Sequence, residues 1–349
     1  MQLIDQARAG DQTAFQVLVD PHRHELNVHC YRILGSLADA EDAVQETMLA
    51  AWQGLGGFEG RASIRTWLYR IATTRSLNML RAASRRPPTA FAPPGVELPA
   101  ATGSNEIVWL QPYPDQLLEQ LPETTYDAIP EARYEARESI SLAFITALQV
   151  LPAQQRAVLL LRDVLGFSAR ESADILDTSE QSVTSALKRA RATLDKQLPA
   201  REIAQRQPPT AGSEEEQALV AKLTVAYESG DVDGLVELMT EDVWLRMPPA
   251  PLEYQGRELV GTFFKVVAYR NARRYRLIAT RANGQPAFGL YMSDRDNPVS
   301  DAFGLMVVTL EGDRIAGITR FENAALHHFD LPSTLTDSAT ESTTESFTD

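Results

Sequence analysis

Apolar residues recur three or four positions apart from Asp11 to about Arg86: Leu37, Ala40, Val44, Met48 and Ala51, then Ile64, Leu68, Ile71 and Leu77. This is helical spacing, and prolines are few there. Prolines 87, 88, 93, 94, 99, 112 and 114 then forbid long helices. The stretch reads as an extended linker, although Val108, Trp109, Leu110 and Tyr113 are too apolar for a mere spacer. Helical periodicity resumes from Ser139 to Leu198, punctuated by Pro152, Gly166 and Asp177-Thr178. Past Pro208-Pro209, residues 217–239 read as one or two amphipathic helices. Residues 243–323 alternate short β-type runs with turn signals such as Asn283-Gly284 and Glu311-Gly312-Asp313. Beyond Pro332 the chain is rich in Ser, Thr, Asp and Glu and reads as disordered. The pattern predicts a multi-domain chain of two all-α domains followed by an α+β domain. Its divisions are 1–86, a linker at 87–137, 138–200, a second linker at 201–213, 214–330, and a tail at 331–349.

At 349 residues, with 44% apolar and 23% charged positions, the chain exceeds one ordinary core. No apolar run reaches the ~20 residues of a membrane span, and the N-terminus has no signal-peptide pattern, so a cytoplasmic protein is expected. One cysteine, Cys30, allows neither an internal disulfide nor a cysteine-cluster metal site. No metal and no cofactor are expected. The net charge of −14 argues against nucleic-acid binding when taken whole. Its distribution says otherwise. Residues 61–86 hold seven arginines and no acid, and residues 180–201 hold five bases against two acids. Both basic islands coincide with helical segments, so phosphate-facing surfaces are compatible with the acidic total.

Gln154–Val164, Ser168–Leu176 and Ser179–Leu198 have helix-turn-helix spacing, with a tight turn at Asp177-Thr178. Thr178 and Gln181 fit a capping box for the third helix. Val183, Leu187, Ala190 and Leu194 form its apolar stripe, leaving Ser179, Glu180, Gln181, Ser182, Thr184, Ser185, Lys188, Arg189 and Arg191 mostly outward. Short polar groups followed by bases suit a helix in the major groove; a small bundle with a solvated face is the other reading. Earlier, Asp39, Asp42, Gln45 and Glu46 give a helix an acidic face suited to a basic partner or simply to water. A glycine-rich loop with Phe58 and Glu59 follows, then Arg61, Ser63, Arg65, Arg70, Arg75 and Asn78 beside Trp67 and Tyr69. Bases beside aromatic rings suit melted DNA, whose unstacked bases need rings or pockets. Trp67 can equally be core.

His29–Ser36, Asp39–Thr47 and Phe58–Ala72 resemble region 2 of bacterial extracytoplasmic-function sigma factors of the sigma-70 family. Leu151–Val158, Gly166–Ala173 and Val183–Arg191 resemble region 4. The resemblance implies an alternative sigma factor that is not itself an enzyme. Its partners would be core RNA polymerase, through the largest and second-largest subunits, and promoter DNA. Asp39, Asp42, Gln45 and Glu46 would dock on the polymerase. Phe58, Glu59, Arg61, Ser63, Arg65, Trp67, Arg70, Arg75 and Asn78 would engage the melted −10 strand. Ser179, Glu180, Gln181, Ser182, Thr184, Ser185, Lys188 and Arg189 would read the −35 duplex. Residues 214–330 resemble the SnoaL-like branch of the NTF2-like cone, carried by Tyr227–Leu235, Asp242–Pro249 and Tyr254–Arg257. Such fused domains are thought to adjust sigma activity by touching the sigma regions, and Trp109–Asp115 resembles the linker motif of those subgroups. Trp244, Met247, Tyr254, Phe263, Phe264 and Tyr291 would line the cone's pocket, with or without a small-molecule ligand, or simply form its core. Two other readings stand beside this one. A ligand-sensing helix-turn-helix repressor leaves the acidic helix and glycine loop unused. A cyclase or isomerase, with Asp242 and His327 or His328 as its acid/base pair, leaves the first 200 residues unexplained.

Overall fold

In the computed structural model, which describes residues 2–83, 98–104, 110–119, 140–197, 208–248, 250, 252–294 and 297–336, the chain forms two compact units. One comprises residues 1–87 and 116–203, the other 88–115 and 204–349.

The first unit opens with α1 (Gln2–Arg8), α2 (Gln12–Leu34), α3 (Leu37–Gly54) and α4 (Ile64–Ala83). Asp11 starts α2 by accepting from the backbone N–H groups of Thr13 and Ala14. Gly35, at φ +74°, ends it. Ser36 then caps α3, accepting from Asp39 N at 3.2 Å. The apolar stripes foreseen on α3 and α4 meet α2 in a core that includes Leu26, Ile33, Leu37, Ala40 and Leu68, all fully buried.

After the short α5 (Asp115–Glu119) come α6 (Leu142–Val150), α7 (Ala153–Leu159) with a π-turn at Leu160–Val164, α8 (Ala169–Leu176) and α9 (Glu180–Gln197). A reciprocal capping box between Ser168 and Glu171 opens α8, and Asp177, at φ +50°, closes it. The cap of α9 is not the expected Thr178–Gln181 box. Thr178 N–H is spent on Ala173 O in ending α8, so Ser179 takes the role, accepting from Ser182 N at 3.2 Å.

These two helical groups pack on each other within one unit. The Tyr69 and Phe167 rings meet edge-on at 5.3 Å. Arg156, buried in α7, donates to Ile33 O at the end of α2, to Gln149 Oε1 at 2.6 Å and to Gln149 O at 3.0 Å. Burial pulls its guanidinium down to about 10, so it stays charged and serves carbonyls left open at the ends of α2 and α6.

The second unit is α+β. Helices α10 (Glu214–Ser229), α11 (Val232–Glu237) and α12 (Arg257–Phe263), the last continued by a π-turn at Phe264–Ala268, accompany the sheet. Its strands are β1 (Gly103–Ser104), β2 (Met239–Arg246), β3 (Leu252–Gln255), β4 (Arg274–Ala282), β5 (Gln285–Ser293), β6 (Val299–Glu311), β7 (Arg314–Glu322) and β8 (Thr334–Thr336). Their order is β1-β3-β2-β7-β6-β5-β4, with β8 on β6. Only the β2–β7 pairing is parallel among the described residues. The β4–β5 hairpin turns at Asn283 and Gly284, both at positive φ, as that dipeptide implies.

Two stretches at the edges of the sequence divisions take part in the second unit. The proline-rich stretch, too apolar for a mere spacer, gives residues 98–104 and 110–115 to the second unit: β1 pairs with β3, and Tyr113 and Asn283 exchange hydrogen bonds of 2.8 Å. Asp115 accepts from Gly284 N at 2.8 Å and pairs with Arg281 at 3.4 Å. Residues 87–97, 105–109 and 120–137 of that stretch, Trp109 among them, lie outside the described residues. The sheet also runs past 330, since Thr334–Thr336 pairs with Val299–Asp301. The disorder expected farther along, at 337–349, falls outside the described residues.

Candidate nucleic-acid interface

The glycine loop between α3 and α4 is pinned from α1: Arg8 donates to Phe58 O and, at 3.5 Å, to Leu55 O. Phe58 itself is buried, its ring 5.0 Å from that of Trp67. A ring so placed supports the loop. Trp67 keeps part of its surface in solvent. Glu59 and Arg61 are exposed and ion-paired with each other. Ser63 is the cap of α4, accepting from Thr66 N at 3.0 Å. Beside the loop lies a cleft of about 270 Å³ bordered by Phe58, Arg61, Trp67 and Arg70. Asp174 and Ile175 of α8 complete its lining. Neither stands out in the sequence, because α8 and the loop are over a hundred residues apart and only packing brings them together.

Arg65 differs from its neighbours. Its Nε donates to Glu25 Oε2 at 2.9 Å, and its guanidinium lies over the rings of Tyr69 and Phe167 at 4.8 and 5.4 Å. Burial works to raise the Glu25 carboxyl, but His22 and Arg65 outweigh it and hold it below the usual range. Arg65 is therefore part of the packing between α4, α2 and the start of the α8 segment, and not a side chain held toward solvent. Arg70 and Asn78 are exposed, and Arg75 lies 3.8 Å from Glu46. Asn78 Oδ1 accepts from Arg81 at 2.8 Å.

On α9 the eight expected contact residues, Ser179, Glu180, Gln181, Ser182, Thr184, Ser185, Lys188 and Arg189, are all exposed, while Val183, Ala186, Leu187 and Ala190 are buried. Arg191 is tied back to Asp163 by bonds of 2.7 and 2.8 Å. That pair braces α9 against the π-turn, leaving Lys188 and Arg189 as the outward bases of the helix centre.

On α3, Asp42, Gln45 and Glu46 are exposed and Asp39 is half-buried. Leu49, seven residues after Asp42, is exposed on the same face. It lies outside the apolar stripe of Leu37, Ala40, Val44, Met48 and Ala51.

Buried His29 bonds Thr73 Oγ1 through Nε2 at 2.8 Å, and burial, with Arg32 and Arg65, holds it down to about 3. Burial also pushes the Cys30 thiol up to about 12, so it carries no thiolate at neutral pH.

In the second unit, Met247, Phe263 and Phe264 line a cavity. Trp244, Tyr254 and Tyr291 do not. Trp244 and Tyr291 neighbour the lining residues Leu245 and Leu290 along their strands, so alternation turns them to the other face. There Arg246 stacks on Trp244 at 4.8 Å, and Tyr291 donates to Pro332 O at 2.7 Å. Tyr254 is fully buried against Phe263. Asp242, His327 and His328 also lie off the cavity lining.

The sigma-70 region 2 family model matches residues 18–86, and that of sigma-70 region 4 matches residues 141–194. The chain is 42% identical over 337 residues to the ECF RNA polymerase sigma factor SigG of Mycobacterium tuberculosis H37Rv, covering 94% of this chain and 86% of that one. It is 30% identical over 196 residues to the ECF RNA polymerase sigma-E factor of Escherichia coli K12, covering 56% of this chain and 92% of the relative. Among solved structures, the M. tuberculosis extracytoplasmic function sigma factor SigJ shares its fold, with a TM-score of 0.57 at 22% identity over 90% of this chain and 98% of that one.

Proposed function

The chain belongs to the extracytoplasmic-function RNA polymerase sigma factors and is an alternative sigma factor, and we propose that its fused C-terminal unit holds the two DNA-reading segments together until polymerase and promoter separate them. Core RNA polymerase and promoter DNA are its partners, met in the cytoplasm where transcription occurs. A sigma factor selects and opens the promoter, and polymerase supplies the catalysis. In this reading the α3 face of Asp39, Asp42, Gln45, Glu46 and Leu49 docks on polymerase. The cleft beside Trp67 and Arg70 receives an unstacked −10 base, and the outer face of α9 reads the −35 duplex.

One observation carries the regulatory part: α8 packs on α4 and closes the cleft beside the glycine loop. Elements separated by about 25 base pairs stand roughly 85 Å apart at 3.4 Å per step. Helices packed side by side cannot reach both, so α4 and α8 must part before the promoter is engaged. The segment joining them runs through Gly103–Ser104 and residues 110–115, which pair and hydrogen-bond with strands of the C-terminal unit. Holding that segment shortens the reach available to α8 and α9. The test is promoter-dependent transcription with core polymerase, comparing the full chain with one ending at about residue 205. We expect activity several-fold above that of the full chain; equal activity at equal polymerase occupancy overturns the regulatory role.

A further inference from the structure

The sigma activity makes no use of the interior of the C-terminal unit. A cavity of about 190 Å³ lies there, with Leu245, Phe264, Leu290 and Met306 among its apolar walls. It is somewhat larger than the ~150 Å³ hollow that accepts benzene in an engineered core. Three guanidinium groups border this apolar space: Arg270 and Arg273, on the turn after the π-segment of α12, and Arg320 in β7.

None of the three has a carboxylate at ion-pair distance among the described residues. Glu322, exposed two residues farther along β7, is the acid whose field reaches Arg320. The Arg320 guanidinium lies 4.0 Å from the centre of the Phe303 ring and donates to Phe303 O at 3.3 Å. Its Nε, the Nε of Arg273 and one terminal nitrogen of Arg270 are buried without hydrogen-bond partners. Burial pulls Arg320 below its ordinary range, and the charge of Arg273 acts the same way. Of the neighbouring hydroxyls, Tyr275 donates to Ala268 O at 2.8 Å and is also hydrogen-bonded by Arg273, and Tyr269 donates to Tyr227 O at 2.6 Å.

Charges drawn away from water in proteins are ordinarily paired, because an uncompensated one is destabilising. Three like charges around one apolar cavity, each with an unused donor, make a receptor for an anion. The guanidinium fork matches a carboxylate in two parallel hydrogen bonds. Inorganic phosphate would satisfy the arginines but leave the apolar walls unfilled. We infer that the C-terminal unit binds a small amphipathic carboxylate, its head held by Arg270, Arg273 and Arg320 and its apolar body, about one ring or a short acyl chain in size, in the cavity.

The site lies wholly within the C-terminal unit, so its test needs neither polymerase nor promoter and its outcome is independent of the regulatory reading. Full-length protein is titrated calorimetrically with 3-phenylpropionate, with octanoate and with the neutral 3-phenylpropionamide. Binding of at least one carboxylate, at least tenfold tighter than the amide, is expected. Arg320→Met, and separately the double variant Arg270→Gln with Arg273→Gln, should each lower carboxylate affinity at least tenfold. The unliganded Arg320→Met protein should melt no lower than the parent, since the change removes a largely desolvated charge that has no carboxylate at ion-pair distance. Equal affinity for acid and amide, no binding of either carboxylate at millimolar concentration, or undiminished binding by the variants overturns the proposal. Should Arg320→Met fail to fold, the double variant on the partly exposed turn decides alone.

Discussion

His29 shows how a single buried residue couples this fold to pH. Its folded pKa of about 3 lies well below the ordinary histidine value near 6.5. Between those values the unfolded chain binds a proton at this position that the folded chain does not. Stability from His29 is therefore complete above about pH 6.5 and declines as pH falls toward 3, by up to about 1.4 kcal/mol per pH unit. His29→Gln, which keeps a donor near Thr73, should flatten this slope in urea unfolding measured from pH 7 to 4.5; an unchanged slope would place the acid sensitivity elsewhere. Arg65 teaches a related lesson. In sequence it is one of seven arginines in a basic island, yet Glu25, Tyr69 and Phe167 surround it. Residue type gave its charge, and only its neighbours determine where that charge is used.

Helix α9 divides its work along its length. Its N-terminal turns present short polar side chains, and its middle presents Lys188 and Arg189. Arg191 is engaged with Asp163. In duplex binding by the polymerase-bound protein, Lys188→Ala should weaken all sequences about equally and reduce the salt slope by about one. Gln181→Ala should leave the salt slope alone and change preference at one base pair, by about 1–3 kcal/mol. Identical salt and sequence profiles for the two variants would contradict this division. On α3 the corresponding prediction concerns a protein partner: Leu49→Asp, with Asp42 and Glu46 intact, should weaken core-polymerase binding about tenfold without altering helix content by circular dichroism.

At the scale of the whole molecule, residues 98–104 and 110–115 tie the proline-rich stretch to the C-terminal unit. Tyr113 is fully buried, and its N–H bonds to Asn283 Oδ1. Asn283 holds φ +57°, so replacement by alanine would strain the turn as well as remove the bond. Asn283→Gly retains the hairpin conformation and leaves the Tyr113 N–H unsatisfied, at a cost of about 1–3 kcal/mol. The expected result is a lower unfolding midpoint of the C-terminal unit and faster proteolysis within 98–115. Proteolysis at the parent's rate would show that the segment is held chiefly by its β1–β3 pairing and its apolar contacts.

The acidic total and the basic islands, the helix-turn-helix spacing, the Asn283-Gly284 hairpin and the α+β class of the C-terminal portion were all legible in the sequence. Each is local: it depends on periodicity, capping or turn chemistry within a few residues. The stripe on α9 could be drawn before any coordinates because 3.6 residues per turn fixes which side chains face inward. What required tertiary structure was every meeting of distant segments. Asp174 and Ile175 close a cleft beside Phe58, the proline-rich segment adds a strand to a sheet from the other end of the chain, and Arg270, Arg273 and Arg320 converge on one cavity. Half of the expected pocket residues lie elsewhere because strand alternation sets the facing of each side chain, while sheet order sets what lies opposite. Periodicity specifies a face, but the partner of that face depends on loop closure and packing over the whole chain.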